Sequence, residues 1–168
     1  KLGNVGDVLP PFIKLDDWKK PRDPNRVPLL NFYVVELAGL KAHDVKVVAD
    51  FFESIHTLVK FVGKDDHLAE VKESTYRFVE FWGDRCTGDL VPLVSDCRAV
   101  LVLSEEFPKL AIGGLCTGRP FVSIDSSLNK EYLNTDGGIF LKKLHPEHLM
   151  LAIKTMDQDY RYYEREKL

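Results

Sequence analysis

The sequence predicts a three-layer α/β/α domain, with helices on both faces of a largely parallel sheet, and three observations carry that expectation. Short apolar runs rich in β-branched residues alternate along the chain with segments whose apolar residues recur every three or four positions. Ala99-Val100-Leu101-Val102-Leu103 is such a run, too short for a typical helix and suited to a strand buried on both faces. After it, Ser104-Glu105-Glu106 opens a polar turn, and Leu110 to Cys116 has the small, apolar character of a short helix packed closely on a sheet. Gly118-Arg119-Pro120 then breaks that helix, and Phe121 to Ile124 returns to the sheet. Strand, turn, helix and strand make one βαβ unit, and ligands of open α/β sheets bind in the crevice at the strands' carboxyl ends. Glu105 is therefore expected near any site the chain carries.

Size and composition narrow the classes. A chain of 168 residues and 19.2 kDa suits one full core and is short for two. It reads as a linker or arm over 1–28, a domain over 29–156 and a C-terminal helix or tail over 157–168. With 45% hydrophobic and 29% charged residues it has the balance of a soluble globular protein. No apolar run approaches the roughly 18 residues of a membrane span and no secretory leader opens the chain, so a cytoplasmic location is expected. A lysine as first residue suggests a piece of a longer protein. The net charge of −3 argues against a nucleic-acid footprint, which needs clustered cations. Cys86, Cys97 and Cys116 show no metal or redox spacing and read as buried, reduced thiols. His145 and His148 share a helix face without a third ligand, so no metal site is expected.

Taken in order, the prolines between Pro10 and Pro28 exclude a helix in the arm, where Phe12 and Trp18 are the apolar anchors and a sheet edge is what they could cover. Leu29 to Val35 reads as the first strand, with Glu36 to Lys41 as the loop after it. His43 to Ile55 carries a helical stripe, with Asp44 near its N-terminus. Leu58 to Val62 is a strand, His67 to Ser74 a short helix, and Tyr76 to Phe81 alternates as a strand. Asp89 to Asp96 makes a helix with Pro92 in its first turn. Asp125 to Lys130 reads as a polar loop, Ile139 to Leu141 as an edge strand after a glycine turn, and Pro146 opens the last helix.

The stretch Cys97-Arg98, Ser104, Glu105, Phe107, Leu110, Gly118 and Pro120 resembles the signature region of glycosyltransferase family 4. The resemblance implies the Rossmann-like C-terminal half of a GT-B fold, binding a nucleotide-diphosphate sugar as donor substrate for retaining, metal-independent transfer of a hexose to a glycan or lipid acceptor. It implies no separate cofactor. It also implies an N-terminal acceptor-binding domain or partner chain, through which peripheral membrane association could occur. Of the family's site residues, Glu105 matches the glutamate that contacts the transferred sugar. Lys41, in the loop after the first strand, and Lys109 would meet the diphosphate, and Trp82 would wall or stack on the base. Core packing is the other reading of Trp82, and ordinary solvation that of Lys41.

The resemblance also has departures. The family's second glutamate, which holds the ribose, lies eight positions after the first, and counting eight from Glu105 reaches Gly113. Gly113-Gly114, taken as opening the helix, would offer amides to an anion instead. Pro108 replaces a glycine whose N–H the family uses, and no arginine accompanies Lys41. Ser126 and Ser127 stand where a glycine pair approaches phosphate and could donate hydroxyl hydrogen bonds. These departures keep a second expectation open, a non-catalytic binding or assembly module derived from the same fold.

Overall fold

The computed structural model describes Trp18 and residues 29–165, with side chains through residue 158. The expected layers are present. Strands β1 (Phe32–Glu36), β2 (Leu58–Val62), β3 (Val79–Gly83), β4 (Val100–Val102), β5 (Phe121–Ile124) and β6 (Gly138–Leu141) form one sheet in the order β3-β2-β1-β4-β5-β6. Every neighbouring pair is parallel. The helices are α1 (Ala42–Ser54), α2 (Ala69–Lys72), α3 (Thr87–Asp96), α4 (Lys109–Cys116), α5 (Ser127–Tyr132) and α6 (Pro146–Arg165). Among the described residues no helix is long and apolar enough to cross a membrane.

Alternation along the strands builds two cores. Tyr33 and Val35 of β1 join Val45, Phe52, Phe61, Leu101 and Leu149 beneath α1 and α6, while Phe32 and Val34 join Leu90, Val94, Val100, Val102 and Leu110 beneath α3 and α4. Fully burying a side chain of the Phe or Leu class contributes about 1.5–3 kcal/mol, so this central strand, buried along its whole length, anchors both layers. Asp157 accepts hydrogen bonds from the Tyr33 hydroxyl and from Arg98, which ties α6 to the sheet beyond residue 156. α6 itself runs past residue 156 to Arg165.

Several boundaries differ from expectation for identifiable reasons. β3 begins at Val79 because the Glu53 carboxylate of α1 accepts the backbone N–H groups of Arg77 and Phe78, removing them from any ladder. α3 starts at Thr87, which places Pro92 inside the helix rather than in its first turn. The expected polar loop after β5 instead contains α5, whose start is capped by the Ser126 hydroxyl accepting the Asn129 N–H at 3.1 Å. Cys97 is buried, which pushes its thiol up to about 12, whereas Cys86 and Cys116 are exposed. Within the arm only Trp18 is described, and Phe12 lies outside the described residues.

Candidate functional site

The strand order reverses between β1 and β4, and the crevice at their carboxyl ends is where this topology places ligands. Three loops meet there. Ser104, two residues past β4, donates its hydroxyl to the Ala38 carbonyl at 2.6 Å, joining the β4 loop to the β1 loop. Asn129, fully buried in α5, donates to the carbonyls of Ser104 at 2.9 Å and Ile124 at 3.2 Å, joining the ends of β4 and β5. Gly39 makes the approach possible: its φ of +71° favours glycine, and a Cβ there would lie 2.3 Å from Glu106 Cγ.

On the α1 and α6 side these loops surround an open cleft of about 490 Å³. Lys41 and Asp44 line it from the start of α1, Ser104, Glu105 and Glu106 from the β4 loop, and Lys143 from the turn before α6. The structure thus brings Lys41 and Glu105 together and adds Lys143, a cation that sequence reading missed. Nothing in the local sequence marks Lys143, because only the fold carries it to the cleft that Lys41 also lines.

The α3 and α4 side is different. Glu36 ends β1 as a strand residue, 8% exposed, and its Oε2 accepts the Leu110 N–H at 3.1 Å. Removal from water pushes its carboxyl group up to about 8, against the lowering effects of that hydrogen bond and of Lys109. Pro108 occupies the cap position of α4 and offers no side-chain acceptor, so Glu36 caps the helix from a distant strand. The sequence signal was an acidic residue ending an otherwise apolar run, which reading it as loop concealed.

Gly113 corrects the sequence expectation most directly. α4 begins at Lys109, so Gly113 and Gly114 lie inside the helix and are buried. A Cβ on Gly113 would meet the Trp18 ring at 2.4 Å. The position is glycine because an indole lies on it, and the amide is not at the start of the helix.

The other expected site residues scatter. Lys109 is exposed at the head of α4, where its charge acts on Glu36. Trp82 lies within β3 at the sheet edge. Its indole N–H donates to Glu80 at 2.9 Å, and Lys60 sits 4.6 Å from its ring centre. The Ser126 hydroxyl is engaged in its cap, and Ser127 is exposed at the start of α5. Trp82, Lys109, Ser126 and Ser127 do not line the cleft.

No family model matches the chain, and no curated protein matches it. Solved structures do. HepE of Anabaena, in complex with UDP-glucose, superposes with a TM-score of 0.63 at 19% identity, over 78% of this chain and 40% of its own. The UDP-GlcNAc 2-epimerase of Methanocaldococcus jannaschii gives 0.59 at 11%, over 77% and 40%. A glycosyl transferase of family 9 from Veillonella parvula gives 0.55 at 14%, over 84% and 49%. The chain thus spans less than half the length of each of these proteins. Their likeness, with the all-parallel six-stranded sheet, establishes the fold as the Rossmann-like half of a GT-B architecture.

Proposed function

We propose that this chain is the donor-binding half of a glycosyltransferase-like protein and that a nucleotide-diphosphate sugar sits in the crevice between β1 and β4. One observation carries the reading: at the switch point of this fold, one open cleft is lined by two cations, Lys41 and Lys143, and by the carboxylates of Asp44, Glu105 and Glu106. Lysine ammonium groups suit the charge of a diphosphate, and a carboxylate accepts two hydroxyl hydrogen bonds from a sugar. Two of the structural neighbours offer support by analogy, one solved with UDP-glucose and the epimerase also solved with UDP-GlcNAc and UDP.

In this reading Glu105 orients the sugar and Lys41 with Lys143 offsets the diphosphate charge. Trp82 meets the base only if the nucleotide extends beyond the cleft to the β3 edge. Retaining transfer of a hexose to a glycan or lipid requires acceptor groups on a second half or partner chain, so the isolated chain is expected not to turn over. The epimerase among the neighbours is a reminder that the same half-fold serves other nucleotide-sugar chemistry.

Calorimetric titration with UDP, GDP and their hexose conjugates tests the reading. The conjugate is expected to bind more tightly than its bare nucleotide. Glu105→Ala should remove that gain, about tenfold or more, since hydrogen bonds to a charged group contribute about 1.5–3 kcal/mol. No binding at millimolar nucleotide would contradict the reading. That result would favour the binding or assembly module, for which the occupied head of α4 and the indole over Gly113 already speak.

A further inference from the structure

We infer that Glu36 is an internal stand-in for a ligand anion: its carboxyl group fills the head of α4, keeps phosphate off the amides there, and leaves anionic ligands to the α1 and α6 side of the crevice. The inference rests on the donor-binding reading only in naming phosphate as the group excluded.

A helix N-terminus beside a switch point is suited to an anion, because its first N–H groups lack partners within the helix and point outward. At the head of α4 the first two such groups are already used. Pro108 has no N–H, the Lys109 N–H donates to the Phe107 carbonyl at 2.8 Å, and the Leu110 N–H donates to Glu36. The Glu36 side chain is buried at the end of the strand that forms one wall of the crevice, beside that amide. One turn along the helix the Trp18 ring covers Gly113. Local capping by a Ser, Thr or Asp at position 108 would have satisfied the same amide without burying a carboxyl group. The tertiary cap differs in one consequence: it fills the volume in front of the helix. Shortening Glu36 to its Cβ would vacate a methylene and a carboxyl group, space of roughly the size of a phosphoryl group.

The test uses the chain itself with inorganic pyrophosphate, which carries neither base nor sugar, followed by calorimetry and by the Leu110 amide resonance. Glu36→Ala is expected to bind pyrophosphate at least tenfold more tightly than the wild type, with the Leu110 amide moving on titration. Glu36→Gln keeps an acceptor of the same reach and is expected to behave as the wild type does. Glu36→Ser, short but polar, replaces the alanine variant if that protein does not fold. Equal affinity in the shortened variant and the wild type, or a Leu110 amide that already moves in the wild type, overturns the inference. Titration of the wild type with UDP-glucose is read separately, so a chain that fails to bind the nucleotide sugar counts against the donor-binding reading alone.

Discussion

The two sides of the β1–β4 crevice have been built in opposite ways. Toward α3 and α4, Glu36 fills the head of the helix and Trp18 lies on Gly113, so the surfaces a ligand would use are packed by the protein itself. Toward α1 and α6, Lys41, Glu105, Glu106 and Lys143 stand exposed around an open cleft. Both sides share the same strands and the same switch point. The difference shows that topology fixes where a crevice lies, while individual side chains decide which wall remains available.

The packed side is the easier one to break. Trp18→Ala should cost about 3–5 kcal/mol, measured by denaturant unfolding, because a large indole is fully buried. Gly113→Ala should destabilise by about 1–3 kcal/mol through overpacking. Helix propensity alone would give the opposite sign, a gain of about 1 kcal/mol. Combining Gly113→Glu with Trp18→Ala should recover part of the cost of Gly113→Glu alone, since the two positions share one volume.

The next effect is a pH dependence. Glu36 has its carboxyl group raised from 4.5 to about 8 in the folded chain, so between those values the folded state holds a proton that the unfolded state has released. Its contribution is fully present below pH 4.5 and is lost as pH rises toward and through about 8. Glu36→Gln keeps the acceptor and cannot ionise. Relative to wild type, it should therefore gain stability on going from pH 5 to pH 8.5, by up to a few kcal/mol, read from thermal melts across that range. A wild-type melt that rises over the same interval would contradict the assignment.

On the open side the expected effects are smaller. Lys41→Ala and Lys143→Ala should each leave stability within about 0.5 kcal/mol, as exposed substitutions do. Each should weaken UDP by about 1.4-fold to fivefold, the range of an exposed ion pair worth roughly 0.2–1 kcal/mol. A loss from one lysine and not the other would show that the diphosphate lies at one rim of the cleft.

Much of the fold was legible because its strands are short β-branched runs and its main helices carry clear stripes; β2 and β5 match their expected bounds, and β1 and β4 lie within one to three residues of theirs. β3 starts three residues later than expected because its start is set by Glu53, a residue of another element, which no local pattern records. Glu105 could be singled out because it follows a strand that meets the crevice, and Lys41 through the family resemblance alone. Lys143 and Asn129 could not, since their positions depend on how distant loops converge. Gly113 was visible as a departure from the expected glutamate, but its cause, the ring of Trp18, is a tertiary contact.

The most direct measurement is a map of backbone amide shifts on titrating this chain with UDP-glucose. Movement is expected at Lys41, Ser104 to Glu106 and Lys143, with Leu110 to Gly114 unmoved. Movement centred on Leu110 to Gly114, or none at millimolar ligand, would contradict that expectation.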